Sequence, residues 1–424
     1  MNDVREAVSD TAEVVWWGLR IIGAHWPVLL TIFLLGQAVR NAALWAAVIV
    51  SDSNHLLGAL LVPLAPLASL SALVLMLRTV SPSLRNTHFE AEGSKAHAMR
   101  DRLALLASTL VPFLAVYSAQ GYLADDRQKW VNEANVDELQ DGASYWIEGS
   151  GDTGRTLIAT GSSLLVLIAL AFLFRWLIQR FDLPDKHVGW GLVAAWLEVT
   201  WLSLLVHRLG PVFGVVGDWV TSRQLWVWGT QAWEKLVELV GPLGPSLDWV
   251  KDWAWSVAGD SQALVILPLA WLTVGAIVFR RDADGVELAT SYAAKANARV
   301  QGWLRLAPTL IRTWVGRVIG DLAGRFAGIA QGFKVLVVAG LLQVVLFGLV
   351  FVLARQAEFG TFELIRWVTG PMDQLDRQVL WPHFEVIAQA VYTLLIVGLL
   401  AAAIDRVLGR HDNVEQQISA QADL

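Results

Sequence analysis

Apolar residues in this chain occur in runs long enough to cross a lipid bilayer as helices. A transmembrane helix needs about 20 predominantly apolar residues, because each residue rises about 1.5 Å and lipid cannot satisfy backbone polar groups. About eight runs meet this requirement. They are Pro27 to Val50, Leu56 to Leu77, Leu103 to Tyr122, Leu157 to Phe174, Val188 to Val206, Ala263 to Phe279, Val335 to Ala354, and Val386 to Ile404.

The predicted fold is all-α: a polytopic transmembrane helical bundle of about eight spans, with additional interfacial amphipathic helices. Residues 1–424 are expected to form a single membrane-embedded bundle. Pro63 and Pro66 fall inside the second span and predict a kink there, because proline cannot donate the helical hydrogen bond.

Composition supports a lipid environment. Of 424 residues, 55% are hydrophobic and only 17% charged, and the mean hydropathy is +0.50, outside the range of ordinary soluble domains. The chain has no cysteine, which excludes disulfides and thiolate metal sites. It has 22 tryptophans, a residue that concentrates at membrane interfaces.

Basic residues predict the orientation, since loops rich in Lys and Arg stay in the cytoplasm. With the N-terminus inside, most of the 32 basic residues fall on the cytoplasmic side, and both termini are cytoplasmic. The charged first residues do not resemble a cleaved signal peptide. Residues 125–156 form an acidic extracytoplasmic loop. The excess of Arg over Lys, with abundant Ala, Val, Gly and Leu, indicates a GC-rich bacterial source. The expected location is therefore a bacterial cytoplasmic (inner) membrane.

A Trp-rich interfacial extracytoplasmic segment is predicted at residues 210–262. Its large apolar residues recur at steps of three, four and seven, which is one face of a helix. Such a segment is either a lid or docking surface, or a connector held at the interface by tryptophan. The tryptophans concerned are Trp219, Trp226, Trp233, Trp249 and Trp253.

Residues 281–334 form a basic, glycine-rich cytoplasmic amphipathic segment, which is expected to bind anionic headgroups of membrane lipids. It carries a glycine zipper, five glycines spaced four residues apart. Such a stripe lets another helix approach closely, either within the bundle or in a homo-oligomer or membrane protein partner. The glycines are Gly316, Gly320, Gly324, Gly328 and Gly332.

Two charged residues lie within predicted spans, where charge is expensive and often functional. Arg40 lies in the first span with Gln37 and Asn41 on the same helical face, and Glu198 lies near the middle of the fifth. An ion pair between Arg40 and Glu198 would neutralise both. The pair either only locks two helices together, or makes Glu198 a proton-coupling or substrate-binding group.

Other motifs indicate no catalytic, cofactor or metal site. Gly149, Gly154, Arg155 and Thr156 have the spacing of a phosphate-binding loop, but arginine stands where that motif has lysine. The glycines are better explained as the start of a spanning helix. His88, Glu90, Glu92 and His97 match no standard zinc spacing, and nothing orients His383 and Glu385 for acid-base chemistry. No cofactor and no nucleic-acid partner are expected, and the sequence does not favour an enzyme.

Two functions are favoured by these patterns, and a third, a lipid-modifying enzyme, would need an acidic or His cluster at one membrane face that the sequence does not provide. The leading hypothesis is a protein that acts by association, as a subunit or scaffold of a membrane assembly, and it rests on the glycine zipper and the two interfacial segments. The alternative is a secondary transporter or channel with a polar path near Arg40 and Glu198.

Overall fold

The computed structural model describes residues 2–85, 109–110, 113–114, 116–118, 120–141, 162–181, 183, 188–223, 271–272, 274–275, 278 and 341–422. All regular secondary structure in these residues is helical. The α-helices are α1 (Asn2–Ser53), α2 (His55–Leu61), α3 (Leu64–Val80), α4 (Tyr122–Asp141), α5 (Ser162–Arg180), α6 (Val188–Thr221), α7 (Leu341–Thr369) and α8 (Gln374–Ala422), with a 3₁₀ turn at Ser81–Ser83.

Within the described residues, three helical stretches are long and apolar enough to cross a membrane: Ser9–Ser53, His55–Ser83 and Gln374–Arg406. Two shorter apolar stretches, Val166–Ile178 and Gly189–Leu205, lie within α5 and α6. The all-helical prediction is therefore confirmed for the described residues, and these stretches identify a membrane protein.

The core is built around α1, which packs against both α3 and α8. A Cβ atom at Gly36 of α1 would collide with Ala72 of α3, so these helices touch nearly backbone to backbone. Helix α8 runs antiparallel to α1, and an ion pair of 2.8 Å joins Arg406 of α8 to Asp10 of α1. Arg406 and Asp10 therefore lie at the same end of the bundle.

The predicted kink in the second span is present as a helix break. Helix α2 ends at Leu61, α3 begins at Leu64, and the two residues between them form a turn that includes Pro63. At the start of α2, the Asn54 side chain accepts hydrogen bonds from the backbone N–H groups of Leu56 and Leu57. This N-cap replaces the partners that the first turn of a helix lacks.

Two regions predicted as connections are largely helical instead. Helix α4 (Tyr122–Asp141) begins three residues before the predicted acidic loop 125–156 and includes the first part of it. Most of residues 355–385, which connect the predicted seventh and eighth spans, belong to α7 and α8. These two helices form a hairpin closed by a turn at Gly370 (φ +69°). A span predicted from a run of apolar residues ends where charged residues begin. An amphipathic helix continues past that point, which explains the difference.

Several predicted features lie outside the described residues. They are the glycine zipper from Gly316 to Gly332, and the interfacial tryptophans at 226, 233, 249 and 253. Trp219 falls in the last turn of α6, which continues the fifth predicted span as far as Thr221.

Candidate functional site

A cavity of about 80 Å³ lies between α1, α3, α8 and the described helical residues 113–114 and 116–118. One water molecule needs roughly 10–15 Å³ of such space, so the cavity has room for several. Its wall carries six aromatic residues: Phe33, Phe113, Tyr117, Tyr122, Trp271 and Tyr392. Six further polar residues complete the hydrogen-bonding surface: Gln37, Arg40, Ser69, Gln120, Gln389 and Thr393.

A break between two helical pieces lies in the cavity wall. The N–H of Gln120 donates to the carbonyl of Val116 at 2.9 Å, and the N–H of Gly121 donates to the carbonyl of Ser118 at 3.0 Å. Gly121 then adopts φ +88°, a left-handed conformation that glycine accepts without steric cost. Helix α4 begins immediately afterwards at Tyr122, which places two cavity residues, Gln120 and Tyr122, on either side of the turn.

The centre of the site is a buried ion pair between α1 and α4. Arg40 Nε donates to Asp126 Oδ1 at 2.8 Å, and the hydroxyl of Tyr117 donates to Asp126 Oδ2 at 2.7 Å. Asp126 is fully buried and Arg40 is 4% exposed. Both carboxylate oxygens are thus satisfied, which is the condition under which a buried ion pair is tolerated.

Hydrogen bonds extend from this ion pair across the bundle. Arg40 donates to Gln37 Oε1 at 3.1 Å, Gln37 donates to Gln389 Oε1 at 3.2 Å, and Gln389 donates to Glu385 at 3.3 Å. Glu385 binds Lys129 Nζ with both carboxylate oxygens at 3.0 Å. Side chains of α1, α4 and α8 therefore share one continuous polar network that begins at Lys129 and ends at Tyr117.

Further charges surround the Lys129 and Glu385 pair. Burial raises the pKa of the Glu358 carboxyl above its ordinary value; the Arg355 guanidinium opposes this shift, and the carboxylates of Glu385 and Asp125 reinforce it. Because burial disfavours the charged carboxylate and the carboxylates of α4 and α8 repel it, Glu358 takes up a proton more readily than an isolated glutamate does.

Gln120 has an acceptor atom to which no described residue donates a hydrogen bond. Its Nε2 donates to the hydroxyl of Tyr392 at 2.6 Å, whereas its Oε1 is buried and has no hydrogen-bond partner among the described residues. Gln120 is only 8% exposed. A buried polar atom without a partner costs about 1–3 kcal/mol, so such an atom in a cavity wall requires an explanation.

The predicted ion pair between Arg40 and Glu198 is wrong. Arg40 pairs with Asp126, and Glu198 of α6 pairs with Arg175 of α5. Arg175 lies one residue beyond the predicted fourth span, where the apolar run ends, although α5 continues to Arg180. Arg40 lines the cavity, whereas Glu198 is not among the described residues that line it.

Of the polar residues predicted beside Arg40, the structure brings one into the site. Gln37 lines the cavity and bonds to Arg40, whereas Asn41 is exposed on the outer side of α1. One residue along an α-helix turns the side chain by about 100°, so Asn41 points away when Arg40 points inward.

Sequence reasoning missed most of the residues that complete the site: Tyr117, Gln120, Asp126, Lys129, Gln389 and Tyr392. One signal for Asp126 was present. Asp126, Trp130 and Ala134 are four residues apart, which places them on one helical face, and all three are buried in the structure. The other residues carry no comparable pattern.

The cavity surface is mostly apolar, and amides and hydroxyls make up most of its polar groups. No group of three or more metal-binding side chains occurs within the part of the chain that the structure describes. The arrangement is suited to hold a small polar molecule by hydrogen bonds among aromatic rings. Comparisons of the chain with protein-family models, with characterised proteins and with solved structures gave no significant match.

Proposed function

We propose that this protein is a transporter or channel that moves a small solute through the cavity beside Arg40. It would be a multi-pass protein of about eight spans in a bacterial cytoplasmic membrane, with both termini in the cytoplasm. The antiparallel packing of α1 and α8, which brings Asp10 next to Arg406, supports placing both termini on the same side.

The observation that carries this proposal is the polar network inside the bundle. Ionisable residues in membrane spans are costly and usually face a pathway or a site. Here Arg40 lies in the first predicted span, pairs with a fully buried carboxylate and adjoins a cavity with room for water. A bundle that only needed rigid packing could use apolar side chains at these positions at no loss of stability.

The helix break at Gln120 and Gly121 gives independent support. Non-helical backbone at membrane depth is tolerated where it is buried in protein or lines a water-filled cavity. Transporters place discontinuous helices at the substrate site for this reason. In this protein the break coincides with the cavity wall.

Cysteine accessibility tests the proposal without knowledge of the substrate, because the natural chain has no cysteine. Thr393→Cys and Ser69→Cys place a thiol in the cavity wall. Val391→Cys is the matched control, since Val391 lies on the same helix, is 38% exposed and is not among the cavity residues. Each variant is reconstituted in liposomes and treated with 2-aminoethyl methanethiosulfonate, with free cysteine as scavenger on the opposite side.

We expect Thr393→Cys and Ser69→Cys to react with reagent supplied to either face, because the thiolate that reacts requires water. Val391→Cys should react slowly from both faces, since a lipid-facing thiol stays protonated. If neither cavity position reacts from either face, or if both react from one face only, the transport proposal is overturned.

A second candidate, association as a subunit or scaffold, is supported by the spacing of the five glycines from Gly316 to Gly332. Its test is the mass of the protein in nanodiscs, for the natural chain and for Gly320→Leu with Gly324→Leu. An oligomer that the double substitution converts to a monomer would support an assembly surface. Monomers in both samples would contradict it.

A further inference from the structure

We infer that the cavity beside Arg40 selects a small, electrically neutral solute that donates a hydrogen bond to Gln120 Oε1. A primary amide or an alcohol of a few heavy atoms has this chemistry. This inference rests on the proposed function and adds the substrate class.

Neutrality follows from how the charges of the wall are paired. Arg40 is the one charged residue among the described residues that line the cavity. Its guanidinium is held by Asp126 at 2.5 and 2.8 Å, and Gln37 Oε1 takes a further N–H. An anion would have to displace Asp126, and a cation would meet a guanidinium without a free carboxylate. Both carry a desolvation cost that the remaining amides and hydroxyls do not offset.

The requirement for a donor follows from Gln120. Its amide nitrogen is engaged by Tyr392 at 2.6 Å, which leaves Oε1 as an acceptor with no donor among the described residues. The residue is 92% buried, since only 8% of its surface is exposed. A solute N–H or O–H removes the cost of this unpaired atom, whereas a solute without a donor does not.

Size and polarity limit the solute further. The cavity of about 80 Å³ accepts a few heavy atoms, and aromatic rings such as Phe33, Phe113 and Trp271 form much of the surface around the polar groups. A site of this composition suits a molecule with one apolar part and one hydrogen-bonding end.

The test measures protection of the Thr393→Cys thiol from 2-aminoethyl methanethiosulfonate in liposomes. Propionamide and N,N-dimethylformamide are isomers, and only propionamide has N–H donors. Propionate and propylammonium supply the negative and positive charges at similar size. We expect propionamide alone to slow the labelling in a saturable way, because sites built to bond a donor reject analogues without it by large factors.

Two variants in the Thr393→Cys background identify the acceptor. Gln120→Leu removes Oε1 and should abolish protection by propionamide. Tyr392→Phe removes the hydroxyl that accepts from Gln120 Nε2 but leaves Oε1 in place, and should retain the protection. The comparison of the four probes needs neither variant, so the inference remains testable if Gln120→Leu does not fold.

The outcomes separate this inference from the proposed function. Equal protection by propionamide and N,N-dimethylformamide, protection by either charged probe, or no protection by any probe overturns the donor-selective neutral site. In each case labelling of the cavity from both faces still supports transport. Absence of labelling overturns the transport proposal itself.

Discussion

Substitution of Asp126 by asparagine is expected to lower the free energy of unfolding by about 3–5 kcal/mol, the cost of removing one partner of a buried ion pair. Asp126 is fully buried and neutralises Arg40, which is 4% exposed. The substitution leaves the guanidinium as an uncompensated charge in a low-dielectric environment. Thermal and denaturant unfolding in detergent, followed by the intrinsic fluorescence of the tryptophans, measures this loss.

Two controls separate the effect of burial on the free energy of unfolding from the effect of removing a charge. Glu363→Gln breaks an ion pair with Arg366 whose side chains are 72% and 78% exposed, and exposed pairs contribute at most about 1 kcal/mol. The double variant Arg40→Met with Asp126→Leu should recover most of the stability, because apolar residues can replace a buried pair at little cost. An effect of Asp126→Asn no larger than that of Glu363→Gln would contradict the assignment of a buried, charged pair.

The second largest effect is expected for Gly398→Ala, at the crossing of α1 and α8. A Cβ atom at Gly398 would lie 2.8 Å from the carbonyl oxygen of Gly18 and would collide with Ile22. The carbonyl belongs to the backbone and cannot rotate away, so the helices must separate. Overpacking of this kind costs about 1–3 kcal/mol. The unfolding midpoint in detergent should fall accordingly.

Gly23→Ala is the matched control for this prediction. Gly23 lies on α1 close to the same crossing, and a Cβ atom there would meet nothing within 4 Å. Alanine is favoured over glycine in a helix by up to about 1 kcal/mol, so the midpoint should stay unchanged or rise. A fall of the same size in both variants would show that the crossing of α1 and α8 is not close-packed at Gly398.

The sequence by itself determined the helical class, the membrane environment and several local features. Apolar runs about 20 residues long leave only helices as a solution in lipid, and the turn at Pro63 follows from the missing N–H of proline. The pattern also identified Arg40 and Gln37 as polar residues of α1 that require partners. These results depend on short-range chemistry, which the order of residues specifies directly.

Only the tertiary structure decided which partners those residues have. The local pattern places Asp126 in a solvated acidic loop, because its neighbours Asp125 and Glu133 are acidic too. In the folded chain, α4 packs its Asp126, Trp130 and Ala134 face against α1, and the carboxylate reaches Arg40 across 86 positions of sequence. Glu198 pairs with Arg175 for the same reason, since the hairpin of α5 and α6 brings them together.

The cavity likewise exists only in three dimensions. Gln120 and Tyr392 are 272 positions apart, and Gln37 and Gln389 are 352 apart. The periodicity of polar residues indicates which face of a helix is polar, but it does not indicate which other helix packs against that face. The order of residues therefore specifies the helices and their polar faces, and the packing of α1, α3, α4 and α8 decides that these faces meet around one cavity.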